Sequence, residues 1–282
     1  MHSARCRSGH TRFAVTRCLV ALSGLALSCF AVACGGAAPA TPPPAALPTP
    51  TVTPEPVTPP EPEPRLRADL AAPPLADAAD ASEWQARHEA LLRAPGRSGA
   101  QLVLLGDSLA EGWFASRAFK KQWGKYKPLN LALDGDQTQQ VLWRLEHGAL
   151  DGLSPRLLLL SVGSENLRHG FSAAETARGV RAVLGRIREQ LPASQILLLA
   201  LLPQGATATD PLRVAGDATN AQLRRLSSDP ITLVEAGSVF LENDGRLTPD
   251  VMADDVHLNA LGYEALTMSV SLVAQHLLQN AR

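Results

Sequence analysis

The sequence predicts an α/β doubly wound fold in which helices cover both faces of a mainly parallel sheet. Short apolar runs predict four of its strands, at Leu102–Leu105, Leu157–Val162, Ile196–Leu202 and Ile231–Val234. Runs that are apolar at almost every position are typical of strands buried on both faces. Helical patterns alternate with these runs, and such alternation favours parallel strand–helix–strand units.

Three stretches predict helices beside these strands. The first, "SEWQARHEALLR", begins at Ser82, whose hydroxyl can cap a helix. The second, "SAAETARGVRAVLGRIREQL", opens with Ser172 and Glu175 at the spacing of a capping box. The third, "LNALGYEALTMSVSLVAQHLLQ", closes the chain. The order of strands and helices therefore fits one α/β domain, which we place at residues 81–282.

Residues 1–34 have the pattern of a targeting segment. Four arginines and no acidic residue precede the apolar run "CLVALSGLALSCFAVAC". Its end, "AVACGG", resembles a bacterial lipoprotein box, which predicts cleavage before Cys34 and a lipid on that cysteine. An ordinary cleaved signal peptide and an uncleaved anchor are the alternatives. The run is short for a span of about 20 residues, which favours cleavage.

Residues 35–80 are predicted to form a disordered, Pro/Ala-rich tether between this segment and the domain. Prolines recur through "PATPPPAALPTPTVTPEPVTPPEPEP", and such a composition cannot bury a core. The expected location is the bacterial cell envelope, as a membrane-tethered lipoprotein facing the periplasm or the surface. Secretion is the alternative location.

Charge and cysteine content exclude several classes of function. The chain of 282 residues has a formal net charge of -1, so it lacks the basic footprint of a nucleic-acid partner. All four cysteines lie in the first 34 residues. The predicted domain therefore has no disulfide, no thiolate nucleophile and no cysteine metal site.

Ser108 is a candidate nucleophile. It follows the apolar run in "LVLLGDSLAEGW", where a strand ends and a helix begins. In doubly wound sheets, ligands bind beyond the carboxyl ends of the strands. A helix start also offers free backbone N–H groups to developing negative charge. A helix-capping role, with Gly106 and Asp107 making a turn, is the alternative.

His257 is the candidate base. In "MADDVHLNALGY" a carboxylate three residues earlier, Asp254, can reach the imidazole Nδ1 and leave Nε2 free for a serine. A solvated loop histidine is the alternative. Among the other domain histidines, His169 is a weaker candidate to line a site, and packing, surface or capping roles are expected for the rest: His88, His147 and His276.

Five ordered segments resemble the SGNH/GDSL hydrolases, and most closely the bacterial relatives of the platelet-activating factor acetylhydrolase Ib catalytic subunits. The segments are Trp84 with "RHE" at residues 87–89, "GDS" at 106–108, "GD" at 135–136 with "VLWRL" at 141–145, "LLPQG" at 201–205, and "DDVHL" at 254–258. They span about residues 82–280, and their shared order is far more specific than "GDSL" alone.

The resemblance implies a three-layer α/β/α sandwich, the flavodoxin-like SGNH hydrolase fold, and a Ser–His–Asp hydrolase of carboxylic esters. Ser108 would be the nucleophile, His257 the base and Asp254 the orienting acid. The backbone N–H groups of Ser108 and Gly135 would form part of the oxyanion hole. No metal or organic cofactor is expected.

One position departs from the family pattern. The family's third oxyanion donor is an asparagine in "GTNN", and this chain has "GSEN" there, with Glu165 at the asparagine position. An amide donates to an oxyanion, whereas an ionised carboxylate repels it. Asn166, the next residue, is the candidate substitute donor.

Two functions therefore compete. The first is an esterase or O-deacetylase that acts on short acyl esters, with acylated carbohydrates among the candidate substrates. The second is a catalytically weakened or inactive binding lipoprotein, which "GSEN" favours. The expected partners are a small-molecule or glycan acyl ester and a membrane reached through the lipid anchor.

Overall fold

The computed structural model describes residues 66–74, 78–252, 254 and 257–280, and these contain a five-stranded parallel sheet in the order β2-β1-β3-β4-β5. The strands are β1 Leu102–Gly106, β2 Pro128–Asn130, β3 Leu157–Ser161, β4 Gln195–Leu199 and β5 Ile231–Val234. The helices are α1 Ala78–Leu92, α2 Ser108–Ala115, α3 Arg117–Trp123, α4 Thr138–Glu146, α5 Ser164–Arg168, α6 Ala173–Gln190, α7 Pro211–Leu223 and α8 Ala260–Asn280. This strand order is the flavodoxin-like one, so the predicted fold class is confirmed.

Alternate residues of the central strands enter two separate apolar layers. Val103, Leu105 and Leu158 pack with residues of α4 and α6, whereas Leu102 and Leu104 pack with residues of α2, α3 and α8. Every residue of β1 and β3 is buried. Burial on both faces explains why these strands are continuous apolar runs in the sequence.

Two details of the sheet differ from the sequence prediction. The run Ile196–Leu202 is a strand only as far as Leu199, because Leu201 instead exchanges backbone hydrogen bonds with the side chain of Asn220. The edge strand β2 has only three residues and no long apolar run. Both differences depend on contacts distant in sequence.

The folded body begins before the predicted boundary at residue 81, which corrects the 35–80 tether assignment. Ala68 is buried, and its carbonyl accepts from Thr138 Oγ1 at 2.7 Å. The backbone N–H of Ala72 donates to the carbonyl of Gln139, and α1 already starts at Ala78. Residues 66–74 therefore pack onto the domain. Cys34, the predicted targeting segment and residues 35–65 lie outside the described residues.

Across the described part of the chain, no helix combines the length and the apolar character that a membrane crossing needs.

Candidate active site

Ser108 lies at the carboxyl edge of the sheet, as the first residue of α2. A close approach of two strands fixes this edge, because a Cβ on Gly106 would lie 1.7 Å from the carbonyl oxygen of Ser161. Gly106 also has φ +152°, which other residues rarely adopt. The glycine of "GDS" thus allows β1 and β3 to end side by side directly before the serine.

Ser108 and His257 line one narrow cleft, which has about 20 Å³ of space for the centre of a water molecule. Its wall comes from the ends of β1, β3 and β4 and from the start of α8, and includes Ser164, Glu165, Gln204, Leu258 and Tyr263. The sheet topology therefore brings together two predicted residues that are far apart in sequence. A larger groove at the opposite edge of the sheet is lined by residues that precede β4 and β5 and by the end of α8. Neither Ser108 nor His257 lines this groove.

Asp254 holds His257 at two points. Its Oδ2 accepts from the imidazole Nδ1 at 2.7 Å, and its Oδ1 accepts from the backbone N–H of His257 at 2.6 Å. Because a carboxylate only accepts, Nδ1 carries the proton and Nε2 is left as the basic nitrogen. This is the arrangement that can take a proton from a serine hydroxyl. The neighbouring Asp255 lies outside the described residues.

Gly135 lies in an exposed turn before α4 with φ +80°. Its N–H has no hydrogen-bond partner among the described residues. The turn is attached to α2, the helix that begins with Ser108, because Glu111 Oε2 accepts a hydrogen bond from the backbone N–H of Asp134 at 2.8 Å. Glu111 follows Ser108 by three residues and so lies on the same face of α2.

Glu165 is buried in the wall of the cleft. Its Oε1 accepts from Arg168 Nη1 at 2.9 Å, and its Oε2 lies 3.7 Å from His169 Nδ1. The ring nitrogen of His169 is within hydrogen-bond distance, 2.8 Å, of the backbone carbonyl of Glu165. Arg168 of the same short helix and His169, which caps the helix, therefore hold Glu165 in the wall of the cleft that Ser108 and His257 also line.

Asn166 does not replace the missing amide donor, which corrects the alternative in the sequence analysis. Its Oδ1 accepts from the backbone N–H of Thr138 and its Nδ2 donates to Gln139 Oε1, at 2.9 and 3.0 Å. Asn166 is fully buried and is not among the residues that line the cleft. The helix α5 directs it toward α4, while Glu165 lies at the cleft.

Asp107, for which the sequence pattern predicts only a turn, is an electrostatic component of this site. Asp107 is buried, caps α2 through Leu109 N and accepts from Ser164 Oγ at 2.7 Å. Burial raises the pKa of Asp107 to about 7. The negative charge of Glu165 also raises this pKa, whereas the hydrogen bond from the Ser164 hydroxyl lowers it. Burial and the charge of Asp107 raise the pKa of Tyr263 to about 12.

The raised pKa of Asp107 predicts a stability that falls as the pH rises. An acid with a pKa of about 7 in the folded chain and 3.8 as its ordinary value keeps its proton longer when folded. Ionisation of the buried carboxyl group therefore lowers the free energy of unfolding. This loss is absent below pH 4, grows between pH 4 and 7 and is complete above pH 7. Asp107→Asn removes it and keeps the helix cap. At pH 8 we expect the variant to gain up to roughly 4 kcal/mol in free energy of unfolding.

Urea unfolding of wild type and Asp107→Asn at several pH values measures this difference. The gain of the variant should shrink steadily as the pH is lowered from 8 to about 4. A gain that is independent of pH, or one that grows at low pH, would mean that Asp107 is already ionised throughout this range.

The remaining histidines have the structural roles assigned to them. His88 is buried, with Nε2 at 3.1 Å from the carbonyl of His147, and burial lowers the pKa of His88. His147 caps the end of α4 and stacks on Trp143. His276 is exposed on α8. Within the described ranges no group of three His, Cys, Asp or Glu side chains is arranged to hold a metal ion.

The cleft thus contains a serine hydroxyl at a strand end and a histidine that a carboxylate orients. A model of the GDSL-like lipase/acylhydrolase family matches residues 104–265, more than half of the chain. The chain therefore belongs to this family, and that membership supports an ester-hydrolysing activity.

Two curated relatives are similar over most of their length. Human platelet-activating factor acetylhydrolase IB subunit alpha1 is 30% identical over 192 residues, which cover 67% of this chain and 82% of that protein. The IB subunit beta homolog of Drosophila melanogaster is 30% identical over 210 residues, covering 73% and 92%. The sequence-based resemblance to this group of proteins is confirmed.

Solved structures show the same fold. A GDSL-like lipase from Bacteroides thetaiotaomicron superposes with a TM-score of 0.53 at 18% identity, covering 70% of this chain and 97% of that one. A member of the lipolytic G-D-S-L family from Veillonella parvula has a TM-score of 0.53 at 17% identity, covering 62% and 97%.

Proposed function

We propose that the protein is a serine esterase that hydrolyses short acyl esters through Ser108, His257 and Asp254. His257 Nε2 accepts the hydroxyl proton while Ser108 Oγ attacks the ester carbonyl, and Asp254 stabilises the resulting imidazolium. The backbone N–H groups of Ser108 and Gly135 donate to the oxyanion. Collapse releases the alcohol, which takes the proton from His257, and water then hydrolyses the acyl-enzyme by the same route.

The observation that carries this proposal is the double hydrogen bond between Asp254 and His257 in the cleft shared with Ser108. The His257 and Asp254 side chains are 54% and 56% exposed, so it is the orientation of the ring by the carboxylate, and not burial, that supports a role as a base. The small cleft favours short acyl groups over long chains. Acylated carbohydrates remain the candidate natural substrates because the protein is expected to be exposed in the cell envelope.

A binding protein with weakened chemistry is the second candidate, and Glu165 is the observation that favours it. Its carboxylate lies in the cleft wall where the related hydrolases have an amide, and Asn166 is committed elsewhere. Hydrolysis of p-nitrophenyl esters from acetate to octanoate, by wild type and Ser108→Ala, separates the two functions. We expect activity that falls with chain length and depends on Ser108. No turnover of any ester by wild type would favour the binding protein.

The proposed enzyme is held at a membrane by a lipid on Cys34. The sequence "AVACGG" and the proline-rich segment after it support this location. Cys34→Ser is expected to release the protein from the membrane fraction or to block its processing, because it removes the only thiol at the predicted cleavage point. Fractionation and intact mass of the expressed chain measure both. Unchanged membrane partition and processing would indicate an uncleaved anchor.

A further inference from the structure

One face of α1 makes contacts that neither the proposed triad nor the cleft wall explains. Trp84, Arg87 and His88 lie at helical spacing on this face, and each bonds to a different part of the domain. The family match begins at residue 104, so α1 precedes it. Two of these three contacts lead to the turn that contains Gly135.

The first contact fixes the residue before Gly135. Arg87 Nη2 donates to Glu111 Oε1 and Oε2 at 2.7 and 2.8 Å. The same Oε2 accepts from the backbone N–H of Asp134 at 2.8 Å. Arg87 therefore orients Glu111, and Glu111 holds the turn beside the helix that starts with Ser108.

The second contact fixes the residue after Gly135. Trp84 Nε1 donates to Asp136 Oδ1 at 2.7 Å, and Arg144 Nη1 donates to Asp136 Oδ2. Asp136 and Arg144 are both fully buried. Burial raises the pKa of Asp136, whereas the donors on its two oxygens act against that rise. A buried carboxyl with partners on both oxygens is a rigid anchor for the turn.

We propose that α1 is a positioning element of the active site, which holds the Gly135 N–H at its place in the oxyanion hole through Trp84–Asp136 on one side and Arg87–Glu111–Asp134 on the other. Asp134 and Gly135 are exposed, and a Cβ on Gly135 would meet no atom within 4 Å. Besides the turn's own hydrogen bond from the Asp136 N–H to the Leu133 carbonyl, the position of the Gly135 N–H therefore depends on the flanking contacts. This inference rests on the proposed function in so far as Gly135 donates to an oxyanion.

The neighbouring residue Glu89 supplies a matched control. It pairs at 3.5 Å with Arg93, the residue that follows α1, and among the described residues it makes no hydrogen bond or ion pair with the turn. Glu89→Ala thus removes a carboxylate from the same helix without touching either connection. Glu111→Ala removes the acceptor for Asp134 N–H, and Glu111→Gln keeps an acceptor there while losing the charge.

Steady-state kinetics on p-nitrophenyl acetate tests the proposal. We expect Glu111→Ala and Trp84→Phe each to lower kcat about 10-fold or more with KM little changed, because a misplaced donor weakens transition-state binding alone. Glu111→Gln should recover most of the kcat lost in Glu111→Ala, and Glu89→Ala should behave as wild type. Equal kcat values for Glu111→Ala and Glu89→Ala would overturn the proposal, as would an equal loss in Glu111→Gln and Glu111→Ala.

Hydrogen exchange of the peptide covering residues 131–137 gives a readout that does not need turnover. Exchange there should be faster in Glu111→Ala and Trp84→Phe than in Glu89→Ala, with the core strands unchanged. If Glu111→Ala does not fold, Arg87→Ala is used in its place, because it removes only the partly exposed ion pair between Arg87 and Glu111. An inactive wild type would refute the esterase function while this exchange measurement still decides the role of α1. Unchanged exchange in all variants would refute the role of α1.

Discussion

Ser108→Ala and His257→Ala are each expected to remove nearly all ester hydrolysis, a loss in kcat on the order of 10⁴-fold or more. The serine supplies the attacking oxygen, and the histidine takes its proton from a ring that Asp254 holds in one tautomer. The double variant should be little worse than either single one, because residues that act as one unit are not additive. Burst and steady-state kinetics with p-nitrophenyl acetate measure all three.

Asp254→Asn tests the orienting role separately. Its amide can present the wrong atom to Nδ1 and so favour the wrong tautomer, with an expected loss in kcat of up to about 10⁴-fold. Asp255→Asn is the matched control, since the sequence assigns Asp254 by its spacing from His257, and it should have a mild effect. Equal losses for the two aspartates would contradict the assignment of Asp254.

Glu165→Asn is expected to raise kcat about 10²-fold, or about 2.7 kcal/mol in transition-state stabilisation, if the carboxylate occupies the position of the third oxyanion donor. The change restores an amide and removes a negative charge from the cleft wall. Glu165→Gln should help less, because its longer side chain places the amide differently. The dependence of activity on Ser108 should be retained in both.

Two controls separate the sources of this gain. Glu165→Ala removes the charge without adding a donor, so it measures the electrostatic part alone. Arg168→Gln removes the cation paired with Glu165 Oε1 and leaves the carboxylate in place, so it should not raise kcat. An unchanged or lower kcat in Glu165→Asn would mean that Glu165 has its own role, such as contacting a cationic group of the substrate or positioning His169.

Four of the five strands could be predicted because their signals are local, and the same kind of signal led to the hypothesis for Ser108 and His257. β1 coincides with its apolar run to within one residue, since burial on both faces leaves no polar position. β5 has the predicted bounds although three of its four residues are only partly buried. Ser108 is identified by the end of such a run, and His257 by a carboxylate three residues earlier. The edge strand β2 has three residues and no comparable pattern, so the sequence carries no signal for it.

The parts that could not be predicted depend on contacts between distant residues. The rotation of α5 about its axis decides which residue of "GSEN" faces the cleft. Asn166 faces away from it because it forms hydrogen bonds with Thr138 and Gln139, 28 and 27 positions earlier. Trp84 reaches Asp136 across 52 positions. The "RHE" segment was visible as a motif, but its connection to the Gly135 turn requires the packed structure.

The central claim, that Ser108 is a nucleophile activated by His257, is tested most directly by covalent labelling with diisopropyl fluorophosphate at pH 8. Intact mass and peptide mapping should show one adduct, on Ser108. No adduct should form in Ser108→Ala, and labelling should be strongly slowed in His257→Ala. This reaction does not require knowledge of the natural ester. An adduct on another residue, or labelling of Ser108 at the same rate without His257, would contradict the proposed mechanism.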